Sequence, residues 1–190
     1  MTATLQTPDA RKARPVVSIF GSSATQPDTA EYENARRLAQ LLAQAGTDIA
    51  CGGYGGIMEA VSRGATEGGG GALGYTLPPM SGRKPNAFLS EDRPQATLYD
   101  RLHHLIHSSQ ALIAVNGGIG TVVEVFLAWN ELYLNLLQPR PLVLVGASWR
   151  QAIDGLSALL EITDAHMEHI TFADDIDHAV VQLRNQGVLA

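Results

Sequence analysis

The sequence predicts an α/β domain, a mainly parallel sheet wound in both directions with helices on both faces. Three observations predict it. Short apolar runs of four to six residues alternate with longer stretches of helical periodicity along the whole chain. Glycine, 19 of 190 residues, collects in tight clusters where the apolar runs stop, instead of spreading as linker. The length fits one domain with a substantial core, and the chain shows neither an internal repeat nor a second core.

Taken in order, residues 1–14 are polar and carry two arginines and a lysine with no apolar segment. They read as a disordered tail and not as a secretory signal, which leaves 15–190 as the domain. Pro15 to Phe20 is a β-branched apolar run that stops at Gly21-Ser22-Ser23, a buried strand entering a loop. Asp28 or Thr29 can cap the next helix, whose face is marked by Leu38, Leu41, Leu42 and Ala45 and which Gly46 closes. Asp48 to Cys51 is a second strand, broken by the glycines between Gly52 and Gly56 before a helix over 57–67. Ala72 to Leu77 is a third strand. Pro78 to Pro94 holds four prolines and mixed charges and reads as a loop or lid. Thr97 to Tyr99 suggests a short strand and Asp100 to Ser109 a helix.

Ala111 to Val115 is the next strand, stopped by Asn116-Gly117-Gly118, and a long apolar helix then runs from Val122 to Leu137 behind Thr121. Pro141 to Val145, a helix from Trp149 to Leu160, His169 to Phe172, and a helix from Asp175 to Asn185 complete the alternation. His166, Glu168 and His169 read as a solvated turn. The whole is a single Rossmann-like domain, in which ligands sit beyond the carboxyl ends of the strands. The loops at Gly21–Ser23, Gly52–Gly56, Pro78–Pro94, Asp100–Arg101 and Asn116–Thr121 are therefore expected to line one crevice.

Composition narrows the function classes. A net charge of −6 argues against a nucleic-acid polymer as partner but leaves room for a small phosphorylated ligand. The chain is 45% hydrophobic with no stretch long enough to span a membrane. The single cysteine, Cys51, excludes an internal disulfide framework and suits a reducing cytoplasm. The helix from Val122 is apolar nearly all round, so its outer side is expected to meet a second copy in a homodimer.

Among motifs, the dinucleotide fingerprint and the Walker phosphate loop both fail: Gly118-Ile119-Gly120 lacks the third glycine, and no Gly-Lys-Ser/Thr occurs. Lys12 in the tail and Lys84 in the irregular loop are poor Schiff-base candidates. His103 and His107 stand four apart on a helix, but without a third ligand no metal is expected. No cofactor is expected either. Nothing near Cys51 in sequence would activate it as a nucleophile.

What remains is the segment from Val115 to Glu124. A strand, a glycine turn and a helix start converge backbone N–H groups and the positive end of a helix dipole on one point, a seat for phosphate. Thr121 and Glu124 fit a capping box, which would explain both residues structurally. Against that, Glu124 sits among Val122, Val123, Val125, Phe126 and Leu127, a costly setting for mere capping. Arg101 falls on the same edge of the sheet, as a surface residue, a phosphate clamp or a catalytic group.

These motifs resemble those of the Lonely Guy (LOG) family of nucleotide phosphoribohydrolases, long labelled lysine decarboxylases. The family's Pro-Gly-Gly-x-Gly-Thr-x-x-Glu is similar to the stretch Asn116 to Glu124, its upstream arginine falls on Arg101, and Gly21-Ser22-Ser23 follows the first strand. Its Gly-Gly-Gly-x-x-Gly-Leu-Met loop looks like Cys51 to Met58, which includes Gly53. The resemblance runs from about Val16 to Ala147. It implies hydrolysis of the N-glycosidic bond of a nucleoside 5′-monophosphate, such as AMP or a cytokinin riboside monophosphate, to free base and ribose 5-phosphate. It further implies that Gly117, Gly118, Gly120 and Thr121 bind the phosphate, with Gly21, Ser22, Ser23, Gly53 and Met58 in the nucleotide site. Glu124 would stabilise the cationic sugar or activate water, and Arg101 would orient the substrate. The chain departs from the pattern at Asn116 for proline, Leu102 for lysine and Val123 for a frequent glutamate. Proteins of this type include ligand binders, among them a molybdenum cofactor carrier, so a non-catalytic nucleotide or pterin-phosphate binder is the rival expectation.

Overall fold

Seven parallel strands form one sheet in the order β4-β3-β2-β1-β5-β6-β7 in a computed structural model that describes residues 14–77 and 82–189. The strands are β1 Val16–Phe20, β2 Asp48–Cys51, β3 Ala72–Gly74, β4 Glu91–Asp92, β5 Ala111–Ala114, β6 Leu142–Val145 and β7 Thr171–Ala173. Every neighbouring pair is parallel. The helices are α1 Ala30–Gln44, α2 Ile57–Glu67, α3 Leu98–His107, α4 Ile119–Tyr133, α5 Ala147–Ser157, α6 Asp164–Met167 and α7 Ile176–Asn185.

The pleat of the strands sorts the core into two layers. Val17 and Ile19 of β1, with Ala111 and Ile113 of β5, face α1, α2 and α7. Phe20, Leu112 and Ala114 face the other way, onto α3, α4 and α5. Both faces of β1 and β5 are therefore dry, which is why these runs are apolar but for Ser18. The one polar side chain on β1, Ser18, is satisfied by donating to the Leu105 carbonyl at 2.6 Å and by the Ser109 hydroxyl, also at 2.6 Å.

The chain leaves β1 toward β2 and later returns to place β5 on its other side. The loops after β1 and β5 therefore diverge at their carboxyl ends, and the crevice between them is the binding position of a doubly wound sheet. Three hydrogen bonds fix its rim. Ser22 N–H donates to Asn116 O at 3.2 Å, Ile57 N–H to Ser22 O at 2.8 Å, and Val115 N–H to Phe20 O at 3.0 Å.

Several local expectations need correcting. Thr97 to Tyr99 is not a strand: Thr97 caps α3, accepting from Asp100 N–H at 3.1 Å while the Asp100 carboxylate accepts from Thr97 N–H at 3.1 Å. The Pro78–Pro94 stretch contains the edge strand β4, whose Glu91 and Asp92 are both exposed. His166 lies in the short helix α6, and its ring accepts from Thr163 N–H at 3.0 Å. Arg14, assigned to the tail, is bonded into the body through the Gly46 and Ala43 carbonyls at 3.2 and 2.6 Å. The remainder of that tail, 1–13, lies outside the described residues.

The long apolar helix also differs from its expected bounds. It starts at Ile119 instead of Val122 and ends at Tyr133 instead of Leu137. Its side toward the sheet is buried through Val125, Ala128, Trp129 and Leu132, whereas Val123 is 42% exposed and Leu134 and Leu136 beyond its end are more so. Among the described residues no helix is long and apolar enough to cross a membrane.

Candidate functional site

A cavity of about 410 Å³ opens at the carboxyl ends of β1, β2, β3 and β5, within the size range of small-molecule sites. Each of the five loop segments expected to line a crevice contributes: Gly21, Ser22 and Ser23 after β1; Gly52 and Tyr54 after β2; Arg83 from the stretch before β4; Arg101 at the start of α3; and Gly118 to Thr121 with Glu124 after β5. Phe20, Met58 and Leu77 add apolar wall.

Arg101 is held from three sides. The capping box places it in the first turn of α3. Its Nε–H donates to the Tyr75 carbonyl at 2.7 Å, and its guanidinium rests on Gly52, where any Cβ would collide with Nη2. Its Nη1 lies 3.8 Å from Oε1 of Glu124, and both side chains are almost enclosed, at 12% and 10% exposure.

Glu124 is the buried charge of the site, on a residue only 8% exposed. Burial pushes its carboxyl up to about 7, against the pull of the Arg101 guanidinium. The capping explanation does not hold. The N-cap of α4 is Gly118, no side chain caps the helix, and its first turn contains no acidic residue. Glu124 therefore sits one turn further in, where capping cannot account for it. A desolvated carboxylate on a cavity wall beside a fixed guanidinium has the character of a reactive group.

The start of α4 is open on the cavity side. The amides of Ile119, Gly120 and Thr121 precede the first intrahelical donor of α4, Val122 N–H, which bonds Gly118 O at 3.1 Å. A Cβ at Gly118 or Gly120 would meet nothing within 4 Å, and neither residue has a positive φ. Neither the protein's packing nor its backbone conformation requires glycine at these positions. Glycine there leaves room for something to approach the amides closely.

Two glycines from the predicted set are placed elsewhere. Gly117 packs beneath the Thr121 side chain and borders a second, larger cavity of about 760 Å³, together with Asn116. Gly53 lines neither, being packed against Thr76 and Gly74. Its neighbour Gly52 occupies the wall instead. Leu102 is buried at 5% exposure and is not among the residues that line the cavity. Sequence reasoning did not single out Gly52, Tyr54, Leu77 or Arg83. Tyr54 was visible only as the bulky residue within a glycine run; its hydroxyl donates to Leu77 O at 2.9 Å and accepts from Leu77 N–H at 2.8 Å, closing the floor.

The other reactive side chains lie apart from this chemistry. Cys51 is enclosed, and burial pushes its thiol up, which keeps it protonated and unreactive. His103 and His107 stack on one another with ring centres 4.2 Å apart, and no group of three metal-binding side chains occurs among the described residues.

The cavity thus offers backbone amides and arginines for an anion, a buried carboxylate for a base or for charge stabilisation, and apolar wall for a ring. Comparison with known proteins agrees with the architecture. An uncharacterised protein of Archaeoglobus fulgidus is 33% identical over 115 residues, 60% of this chain and 74% of its own. The molybdenum cofactor binding protein of the phototrophic bacterium Rippkaea orientalis shares the fold with a TM-score of 0.73 at 20% identity, over 92% of this chain and 98% of that one. The molybdenum cofactor carrier protein of Chlamydomonas reinhardtii does so with a TM-score of 0.70 at 22% identity, over 90% and 97%. The model of the SLOG cluster4 family matches residues 14–149, from just before β1 into α5, and so covers every segment of the cavity. The chain belongs to the SLOG cluster4 family.

Proposed function

We propose that the protein hydrolyses the N-glycosidic bond of a nucleoside 5′-monophosphate, as a LOG-type phosphoribohydrolase does. The observation that carries this reading is Glu124, a carboxylate buried in the second turn of α4 with no capping role, facing the cavity beside Arg101. The phosphate would bind the amides of Ile119, Gly120 and Thr121, which fixes the ribose over the carboxylate. As the bond from C1′ to the base nitrogen lengthens, the sugar gains oxocarbenium character, and ionised Glu124 stabilises that positive charge in a low-dielectric wall. Water then adds its hydroxyl to C1′ and its proton passes to the base nitrogen, giving ribose 5-phosphate and free base. Arg101, already anchored to Tyr75, lowers the carboxyl toward ionisation at neutral pH and orients the ligand.

A second reading is a non-catalytic carrier of a phosphorylated pterin or nucleotide. It is favoured by two solved structures of similar fold, a molybdenum cofactor binding protein and a molybdenum cofactor carrier protein, and by the buried Leu102, which leaves the cavity without a lysine beside Arg101. One experiment separates the two. The protein is incubated with AMP and the other nucleoside monophosphates, and free base is sought by chromatography, with Glu124→Ala as control. Base released by the wild type and lost in the variant supports hydrolysis. Saturable binding without base release overturns it in favour of the carrier.

A further inference from the structure

The electrostatics of the cavity leave an ionic imbalance. Its lining carries two cations among the described residues, Arg101 and Arg83, and one carboxylate, Glu124. Arg101 is already committed: its Nε–H is used by Tyr75 O and its Nη1 faces Glu124. A bound phosphate at neutral pH brings roughly 1.5 to 2 negative charges into a space where Glu124 adds another on ionising. The partial charge of one helix terminus, about half a unit, does not balance that.

Arg83 is placed differently from the arginines held in ion pairs. Arg14, Arg36, Arg37, Arg63, Arg93 and Arg101 each lie within 4 Å of a carboxylate. Among the described residues Arg83 has no such partner, nor do Arg140, Arg150 and Arg184, but of these four only Arg83 lines the cavity. The chain that carries it is anchored beside the cavity. Three residues on, Asn86 N–H donates to Gly53 O at 2.9 Å, and its amide Nδ2 donates to Tyr54 O at 3.0 Å and Ser62 Oγ at 3.2 Å. Leu89 then packs on Gly74. An unpaired guanidinium is thus presented to the ligand space from an anchored strand of chain.

We propose that Arg83 is a binding residue for the phosphate of the ligand and sets the preference of the site for phosphorylated over unphosphorylated nucleosides. The inference rests on the phosphorylated-ligand reading above but not on catalysis. Arg83 donates charge-assisted hydrogen bonds to the phosphate oxygens left free by the α4 amides. Arg101 is thereby left to the carboxylate and the sugar.

The test is calorimetric titration of wild type, Arg83→Ala and Arg83→Lys with AMP and with adenosine, with thermal melts to confirm folding. Arg83→Ala is expected to weaken AMP about ten- to a hundredfold, the loss of a charged hydrogen-bonding pair, and to leave adenosine unchanged. Arg83→Lys is expected to fall between, because it keeps the charge and loses the fork. Where base release is measurable, the loss is expected in KM with kcat nearly constant. AMP affinity unchanged in Arg83→Ala, or AMP and adenosine weakened equally, overturns the assignment. Wild-type AMP binding without base release would remove the hydrolase and leave this inference standing. A wild type that binds neither AMP nor inorganic phosphate would remove both.

Discussion

Replacing Glu124 by glutamine separates the demands of folding from those of the site. Burial lifts the carboxyl from 4.5 to about 7, so the folded protein keeps this proton over a pH range in which the unfolded chain has released it. The folded state binds more protons between those values, and stability therefore falls as pH rises from about 4.5 to about 7. At 1.36 kcal/mol per unit, ionised Glu124 costs the folded state about 3 kcal/mol above pH 7. Glutamine keeps the shape of the neutral acid and cannot ionise. The Glu124→Gln variant is expected to match the wild type near pH 4 and to exceed it by about 3 kcal/mol at pH 8. For a chain of this size that is a rise in Tm of about 6–12 °C. Urea melts at a series of pH values measure the gap directly. A variant less stable than wild type at pH 8 would refute the reasoning, because it would mean that the 3.8 Å approach to Arg101 outweighs the cost of desolvation. The same variant is expected to release no base, so gain in stability and loss of activity would come from one atom.

Three further outcomes are expected. If ionised Glu124 acts in hydrolysis, kcat/KM for AMP rises with pH to a midpoint at about 7, set by its raised carboxyl and lying above the second phosphate ionisation at about 6; a flat profile between pH 6 and 8 would exclude that role. Gly120→Ala is expected to hold or gain stability by up to about 1 kcal/mol, since its Cβ meets nothing of the protein, while AMP binding weakens more than about tenfold; calorimetry and melts together read both, and unchanged binding would show that the open space is not a ligand's. A homodimer through α4 is expected at micromolar concentration by light scattering, with Val123→Glu shifting it to monomer by charging the 42% exposed position; a monomeric wild type would leave that face unexplained.

Strands buried on both faces announced themselves as apolar runs, and the positions of β1, β2, β5 and β6 could be read to within a residue or two. β4 could not, because two exposed acidic residues at a sheet edge have no hydrophobic period to detect. Thr97 resembled strand because β-branched and aromatic neighbours raise that propensity, and its capping bond to Asp100 prevailed. At α4 the misleading signal was chemical. Thr121 and Glu124 have the spacing of a capping box, while the true cap, Gly118, uses only backbone and leaves no side-chain signature. The Arg101 and Glu124 pairing was legible only through the family resemblance, since the residues alone placed both no closer than the same edge of the sheet. Arg83 was not, because its place depends on the turn that Asn86 makes over Gly53, a long-range contact invisible to local pattern.

The bed on which Arg101 lies has a consequence for the thermodynamics of recognition. Ordering a long flexible side chain at a binding interface costs about 0.5–1.5 kcal/mol, and that entropy is usually lost on ligand arrival. Here the guanidinium rests against Gly52 through Nη2 and is tethered to Tyr75 before any ligand comes. Its rotamer freedom is surrendered once, during folding. Association then proceeds without a slow rearrangement of this residue, and a side chain at position 52 would return the lost disorder to the binding step.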